Sequence, residues 1–248
     1  MRRPALRFAA LLGVLYALFL IATAPASLLG RTISLQPGIS LDQLEGTLWQ
    51  GAAGKLTIAS AWGPLEIQDV RWAVQWPYLL RGELALKLET AAAAGSLSVA
   101  RGFGGARLLH ADLAMPAADL AQILPPLGVW QPGGEVQFQS DGFAPDSATP
   151  GTALVLWNNA SLNLSPLQPL GDYRLALGGS ADKIAARLET QGGKLQLTGN
   201  GEYSKTAGLR FSGNAQADAA HAKELQALLA ALGQNRGDGV HVFSVQLH

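Results

Sequence analysis

From Thr32 onward the chain alternates apolar and polar positions with a period of two. Leu56 and Ile58 alternate with Lys55 and Thr57. Val70, Trp72, Val74 and Trp76 alternate with Arg71, Ala73 and Gln75, and Leu84, Leu86 and Leu88 with Glu83, Ala85, Lys87 and Glu89. The rhythm returns at Leu65/Ile67, Leu97/Val99, Val136/Phe138, Leu162/Leu164, Tyr173/Leu175/Leu177, Leu195/Leu197 and Leu209/Phe211. Successive side chains of a strand point to opposite faces, so this spacing predicts short strands with one buried and one wetted face, as in antiparallel sheets. Gly63, Gly82, Gly95, Gly193, Gly199, Gly201 and Gly213 punctuate the runs as hairpin turns require. The expected architecture is mainly β: a twisted antiparallel meander.

Two segments switch to a helical period. After Pro116, Leu120, Ile123, Leu124 and Leu127 follow the i, i+3, i+4, i+7 rule and stop at Gly128. After Asp218, Leu225, Leu228, Leu229 and Leu232 do the same and stop at Gly233. Proline suits a first helical position and glycine a C-cap. The two helices are offset by 105 residues, and so are the strand-like tails Glu135–Phe138 and Val240–Phe243. Upstream, Asp69-Val-Arg-Trp-Ala-Val74 matches Asp172-Tyr-Arg-Leu-Ala-Leu177. Lys87-Leu-Glu-Thr90 matches Arg187-Leu-Glu-Thr190, and Gly95-Ser-Leu-Ser-Val99 matches Gly193-Lys-Leu-Gln-Leu197. Similar order and spacing predict an internal duplication, residues 32–140 and 151–248, each repeat carrying one short amphipathic helix and joined by a Pro- and Ser-containing connector at 141–150. Trp49 and Trp157, with Gly128 and Gly233, are the repeat markers.

The N-terminus obeys neither period. Arg2, Arg3 and Arg7 precede an uncharged stretch. Residues 8–29, about 33 Å long as a helix at roughly 1.5 Å per residue, are expected to cross a bilayer core of about 30 Å. The basic tail 1–7 then stays in the cytoplasm and the bulk of the chain crosses. Ala22-Thr-Ala24 has the small-residue spacing of a signal-peptide cleavage site, but Pro25 follows the cut, which favours an uncleaved signal anchor.

Composition removes several function classes. Lys+Arg and Asp+Glu are both 18, so no basic excess favours nucleic acid, and no cysteine is available for disulfides or thiolate metal sites. His110, His221, His241 and His248 stand at no metal-ligand spacing and read as surface histidines. Acidic residues are spread singly along strands, and Asp112 and Asp238 read as turn or strand-end residues. Gly102-Phe-Gly-Gly105 lacks the Lys-Ser/Thr of a phosphate loop and reads as a turn. Asn159-Ala-Ser161 is an isolated sequon. No catalytic set, cofactor site or metal site emerges, and the expectation is a non-enzymatic protein.

Aromatic residues carry more information. Four of the six tryptophans, Trp49, Trp62, Trp72 and Trp76, lie close together. Trp72 and Trp76 share a predicted strand face with Val70 and Val74, as core residues do; a functional apolar surface for a partner or a lipid chain is the other reading. Trp76, Pro77, Tyr78, Leu79 and Leu80, followed by Arg81 and Gly82, form a turn with apolar residues at its tip, a candidate partner-contact loop.

Leu44-Glu-Gly-Thr-Leu-Trp49-Gln-Gly51, Val70-Arg-Trp72 and Trp76-Pro-Tyr-Leu-Leu-Arg-Gly82 together resemble the N component of the bacterial type II secretion machinery, the general secretion pathway protein N family. The second half continues the likeness in Leu156-Trp-Asn-Asn-Ala160, Leu170-Gly-Asp-Tyr173, Gly193-Lys-Leu-Gln-Leu-Thr-Gly199 and the helix ending Leu232-Gly233. The resemblance implies a bacterial inner-membrane protein with its β-rich bulk in the periplasm. It implies partners among other secretion-system proteins, on the inner-membrane platform or the outer-membrane secretin side, and a role assisting export of folded proteins across the outer membrane. It brings no catalytic residues. The strand-rich unit behind an anchor also looks distantly like AsmA-type envelope proteins, which implies the alternative of lipid handled in an apolar β-groove.

Overall fold

The computed structural model describes residues 2–33, 38–60, 63–103, 105–123, 125–144, 151–180, 183–204 and 206–247. Trp62, Gly104, Leu124, the connector residues 145–150 and His248 lie outside them.

Among the described residues fourteen strands form one sheet. They are β1 (Ile39–Gly46), β2 (Gln50–Ser60), β3 (Gly63–Val74), β4 (Leu84–Thr90), β5 (Ala93–Gly102), β6 (Gly105–Pro116) and β7 (Gly133–Ser140), then β8 (Ala153–Ser161), β9 (Gly171–Ser180), β10 (Lys183–Gly193), β11 (Leu195–Ser204), β12 (Gly208–Ala217), β13 (Gln234–Gly237) and β14 (Val240–Leu247). Spatial order follows the chain except that β14 lies between β12 and β13, and every pairing is antiparallel. Local hairpins link almost every neighbour, as the glycine-punctuated alternation predicts.

Residues opposed in an antiparallel pair lie on the same face, so the register traces that face across the sheet. Trp72 opposes Leu88, Leu88 opposes Leu97, and Leu97 opposes Ala111. Two positions along β6, Leu113 opposes Phe138, and the row continues through Val155, Leu175 and Leu188 to Gly199, Gly213 and Phe243. One apolar face therefore runs from β3 to β14. Gly199, Gly201 and Gly213 are not turn residues, as the sequence suggests, but interior positions of β11 and β12. A β-carbon on Gly199 would meet the Phe211 ring at 2.7 Å, and one on Gly213 would meet the Phe243 ring at 2.5 Å. The missing side chains are the space those rings occupy.

The uncharged N-terminal stretch is not one helix. Helix α1 (Arg2–Ala22) stops seven residues short of Leu29, and a second helix, α2 (Ser27–Ile33), follows. Pro25 lacks the N–H a continuing helix needs. The residues around it pair with the sheet instead: Leu48 donates its N–H to the Ala24 carbonyl, and Ala26 donates to Gly46. Ala26 is buried with Ala53 and Trp72, flanked by Leu29, Leu41 and Leu44. Among the described residues no helix is long and apolar enough to cross a membrane.

The predicted helix after Pro116 is two short ones, α4 (Ala117–Ile123) and α5 (Pro125–Gly128), following a single-turn α3 (Trp76–Leu79). Pro116 itself ends β6, opposite Glu135, and Pro125 opens the second piece. The later helix, α6 (Gln226–Leu232), buries Leu228 and Leu229 beside Leu225, as its period predicts. Gly233 is not a left-handed cap. Its φ of −177° is extended, and it is pressed against the Val242 backbone. Gly128 likewise ends α5 outside the left-handed region.

The sequence matches fall on strands in the same order: β3 with β9, β4 with β10, β5 with β11, and β7 with β14. Both matched threonines, Thr90 and Thr190, sit at register shifts.

Candidate functional site

The two ends of the strands differ. The β1–β2, β3–β4 and β5–β6 turns gather at the end where α1 joins. There Trp49 donates its indole N–H to the Ile21 carbonyl at 2.8 Å, and Trp72 donates to the Leu48 carbonyl at 3.1 Å. Trp49 packs on Trp76, with ring centroids 4.7 Å apart and planes inclined by 32°. Trp76 is thus not a core partner of Trp72. It lies on α3 and is 55% exposed, whereas Trp72 is 8% exposed. The chain turns through Pro77 and Tyr78 to Leu80, which is 92% exposed, and Arg81 holds its guanidinium 5.9 Å from the Tyr78 ring centroid. Beside this turn stands Phe103, fully exposed and next to Gly82. Arg107 pairs with Glu83 at 2.6 Å, and Arg101 is exposed nearby.

Phe103 is the residue the sequence reading passed over, as part of an ordinary turn. Its signal was an aromatic ring isolated between glycines, with no apolar partner at a spacing of two. The Trp76–Leu80 loop does lie at the surface, with Trp76 and Leu80 exposed.

At the opposite end α4, α5 and α6 lean over the apolar face and leave a cavity of about 370 Å³. Leu120 and Leu127 come from the first helical connection, Trp130 and Pro132 from the approach to β7, and Leu232 from the second. Val155, Trp157, Tyr173 and Leu197 form the floor, with Leu162, Leu170 and Leu195 around it. Three of these, Trp130, Trp157 and Tyr173, carry side-chain polar atoms, and those of Trp157 and Tyr173 are already used. Trp157 donates its indole N–H to the Gly133 carbonyl at 2.9 Å, and Tyr173 donates its hydroxyl to the Leu195 carbonyl at 3.0 Å. Their rings lie 5.9 Å apart. Burial pushes the Tyr173 phenol well above its ordinary value, and the neighbouring Asp172 carboxylate adds to the effect. Such a lining offers an occupant almost wholly apolar contact area, so it suits hydrocarbon.

Trp49 and Trp157 consequently play different parts. Trp49 ties the end of α1 to the first turn, while Trp157 floors the cavity. The histidines also scatter. His110 meets Asp141 at 3.2 Å on the surface, His221 faces Asp218 at 3.6 Å, and His241 is buried beside the Gly233 carbonyl at 3.2 Å. Among the described residues no three metal-ligating side chains converge.

The family model of type II secretion system (T2SS) protein N matches residues 37–244, from β1 into β14 with the helices between them. The chain belongs to this family. Similar relatives include the type II secretion system protein N of Pectobacterium carotovorum subsp. carotovorum, 26% identical over 93% of this chain and 92% of the relative. That of Aeromonas hydrophila is 27% identical over 93% of each. No solved structure matches the chain. The T2SS protein N match begins past α1 and α2, so it covers the turns holding Trp49, Trp76 and Phe103 as well as the cavity.

Proposed function

We propose that this member of the T2SS protein N family is a non-enzymatic, inner-membrane-anchored component of the secretion machinery. Its N-terminus lies in the cytoplasm, its sheet lies in the periplasm, and it assists export of folded proteins across the outer membrane. The observation that carries this reading is the family match over residues 37–244. Membership supports a secretion component and contact with other secretion-system proteins.

Anchoring rests on α1. Leu11, Leu12, Val14, Leu15, Tyr16, Leu18, Phe19, Leu20 and Ile21 are all more than half exposed, on every side of the helix. A helix apolar all round requires an apolar medium. Its uncharged part, residues 8–22, measures about 22 Å at roughly 1.5 Å per residue. The three arginines, with long apolar stems, suit the cytoplasmic headgroup layer, where such side chains snorkel. The duplicated order of strands and helices supports an internal repeat, 32–140 and 151–248.

Contact with partners suits a strand edge. β13 pairs only as far as Val242, and β14 runs on to Leu247 beyond it. An added strand from another chain is the natural mode there. Deleting the chain from a secreting bacterium and restoring it tests the role. The expected result is secreted protein trapped in the periplasm without the chain and released with it; unchanged export contradicts the role.

The cavity favours a second reading, in which the groove shelters a lipid chain. Mass spectrometry of the purified full-length protein tests it. Co-purifying phospholipid that is lost when Trp157 is intact but Leu197→Arg and Val155→Arg fill the floor supports it, and a lipid-free preparation contradicts it.

A further inference from the structure

Two turns at the α1 end, β3–β4 and β5–β6, expose large apolar side chains. Leu80 is 92% exposed, Phe103 fully exposed and Trp76 55% exposed, although none closes a core. They are contiguous: Trp49 packs on Trp76, the chain passes through Leu80 to Gly82, and Phe103 lies beside Gly82. A contiguous exposed apolar patch of this kind marks an interaction surface. Their neighbours are Arg81, Arg101 and Arg107, of which Arg107 is paired with Glu83. The turns therefore carry a positive excess around an aromatic tip.

We infer that the β3–β4 and β5–β6 turns, led by Leu80 and Phe103, insert into the headgroup layer of a phospholipid bilayer and seat the sheet upright on the membrane. The inference rests on the reading of α1 as an anchor. Two observations choose a lipid surface as the occupant. First, the Trp49 indole is bonded to the carbonyl of Ile21 in the last turn of α1, so whatever layer receives the end of that helix also meets Trp49 and Trp76. Second, tryptophan, tyrosine and arginine together match the interface, where rings sit at headgroup level and guanidinium groups meet anionic phosphate. The cavity at the other end of the strands is then held away from the bilayer.

The chain has no cysteine, so single labels are easily placed. Full-length Leu80→Cys, Phe103→Cys and, as a control at the opposite end, Val129→Cys carry nitroxide labels in vesicles of zwitterionic and anionic phospholipid. Val129 is 81% exposed. All three sites are surface positions, and unchanged thermal unfolding verifies each variant. The expected result is a several-fold higher ratio of oxygen to nickel-chelate accessibility at Leu80 and Phe103 than at Val129. Labels at Leu80 and Phe103 as open to the nickel chelate as Val129 overturn the inference while α1 remains embedded. Labels shielded from both reagents also overturn it, in favour of a protein contact. Protein that washes from the vesicles at alkaline pH overturns the anchor itself, and the inference falls with it.

Discussion

The α1 end of the sheet and the cavity end are built from the same alternating strands and treat their aromatic rings in opposite ways. At the cavity end Trp157 and Tyr173 turn their polar atoms into backbone carbonyls and present bare rings inward. At the α1 end Trp76, Leu80 and Phe103 face outward. The difference lies in the connections. Residues 117–123, 125–132 and 218–233 link strands through helices that fold back over the apolar face, whereas 47–49 is a tight turn and 75–83 holds one helical turn that does not reach back over it. Identical strand chemistry thus yields a covered hydrophobic layer where the connection folds back over it and exposed apolar tips where it does not.

Breaking the covered end costs the most. Leu228 is fully buried among Leu170, Leu195 and Leu225, so Leu228→Ala is expected to lose about 2–5 kcal/mol in denaturant unfolding of the full-length protein. Leu80→Ala is expected to stay within about 0.5 kcal/mol of the parent. Equal losses would erase the contrast.

Tyr173 sharpens it next. Tyr173→Phe removes the hydroxyl donated to Leu195 and is expected to cost about 1 kcal/mol. The folded phenol ionises above its ordinary value of 10.0, so its contribution is complete below pH 10 and is lost as pH rises further. The parent should therefore lose stability above pH 10 more steeply than Tyr173→Phe. Parallel alkaline limbs would contradict the burial argument.

At the α1 end, Trp49→Phe removes the donor to the Ile21 carbonyl, worth about 0.5–1.5 kcal/mol. It should quicken proteolysis around Thr23–Ala26 and leave global unfolding nearly unchanged. The smallest effect belongs to Glu89. The hydrogen bond and charge of Lys87 hold its carboxyl below the ordinary value, so its contribution is present above pH 4.5 and fades as pH falls below that. Exposure limits it to a barely measurable change in the acid limb for Glu89→Gln.

Much of this fold was legible in the alternation. The strands, the antiparallel class and the single apolar face follow from Val70–Val74, Leu84–Leu88 and their later counterparts, because a period of two fixes which side chains share a face. The helix at 226–232 follows from the 3.6 period, whereas the same period at 120–127 gives two short helices, Ala117–Ile123 and Pro125–Gly128. What escaped notice depended on residues distant in sequence. Gly199 and Gly213 look like turns until Phe211 and Phe243 are seen to fill their space. Pro25 marks locally where α1 must stop, but nothing local announces that Ala24 and Ala26 pair with the β1–β2 turn. The exposed pair Leu80 and Phe103 becomes one surface only through the hairpin register. The Trp76–Leu80 loop was legible as a surface feature, whereas its neighbour Phe103 was not.

The most direct test of two unlike ends compares maleimide labelling in intact bacteria whose outer membrane has been opened. Full-length Val129→Cys should react promptly with a membrane-impermeant maleimide, while Leu80→Cys and Phe103→Cys should react only after detergent removes the bilayer. Equal labelling of all three before detergent would contradict a sheet that stands on the membrane by its α1 end.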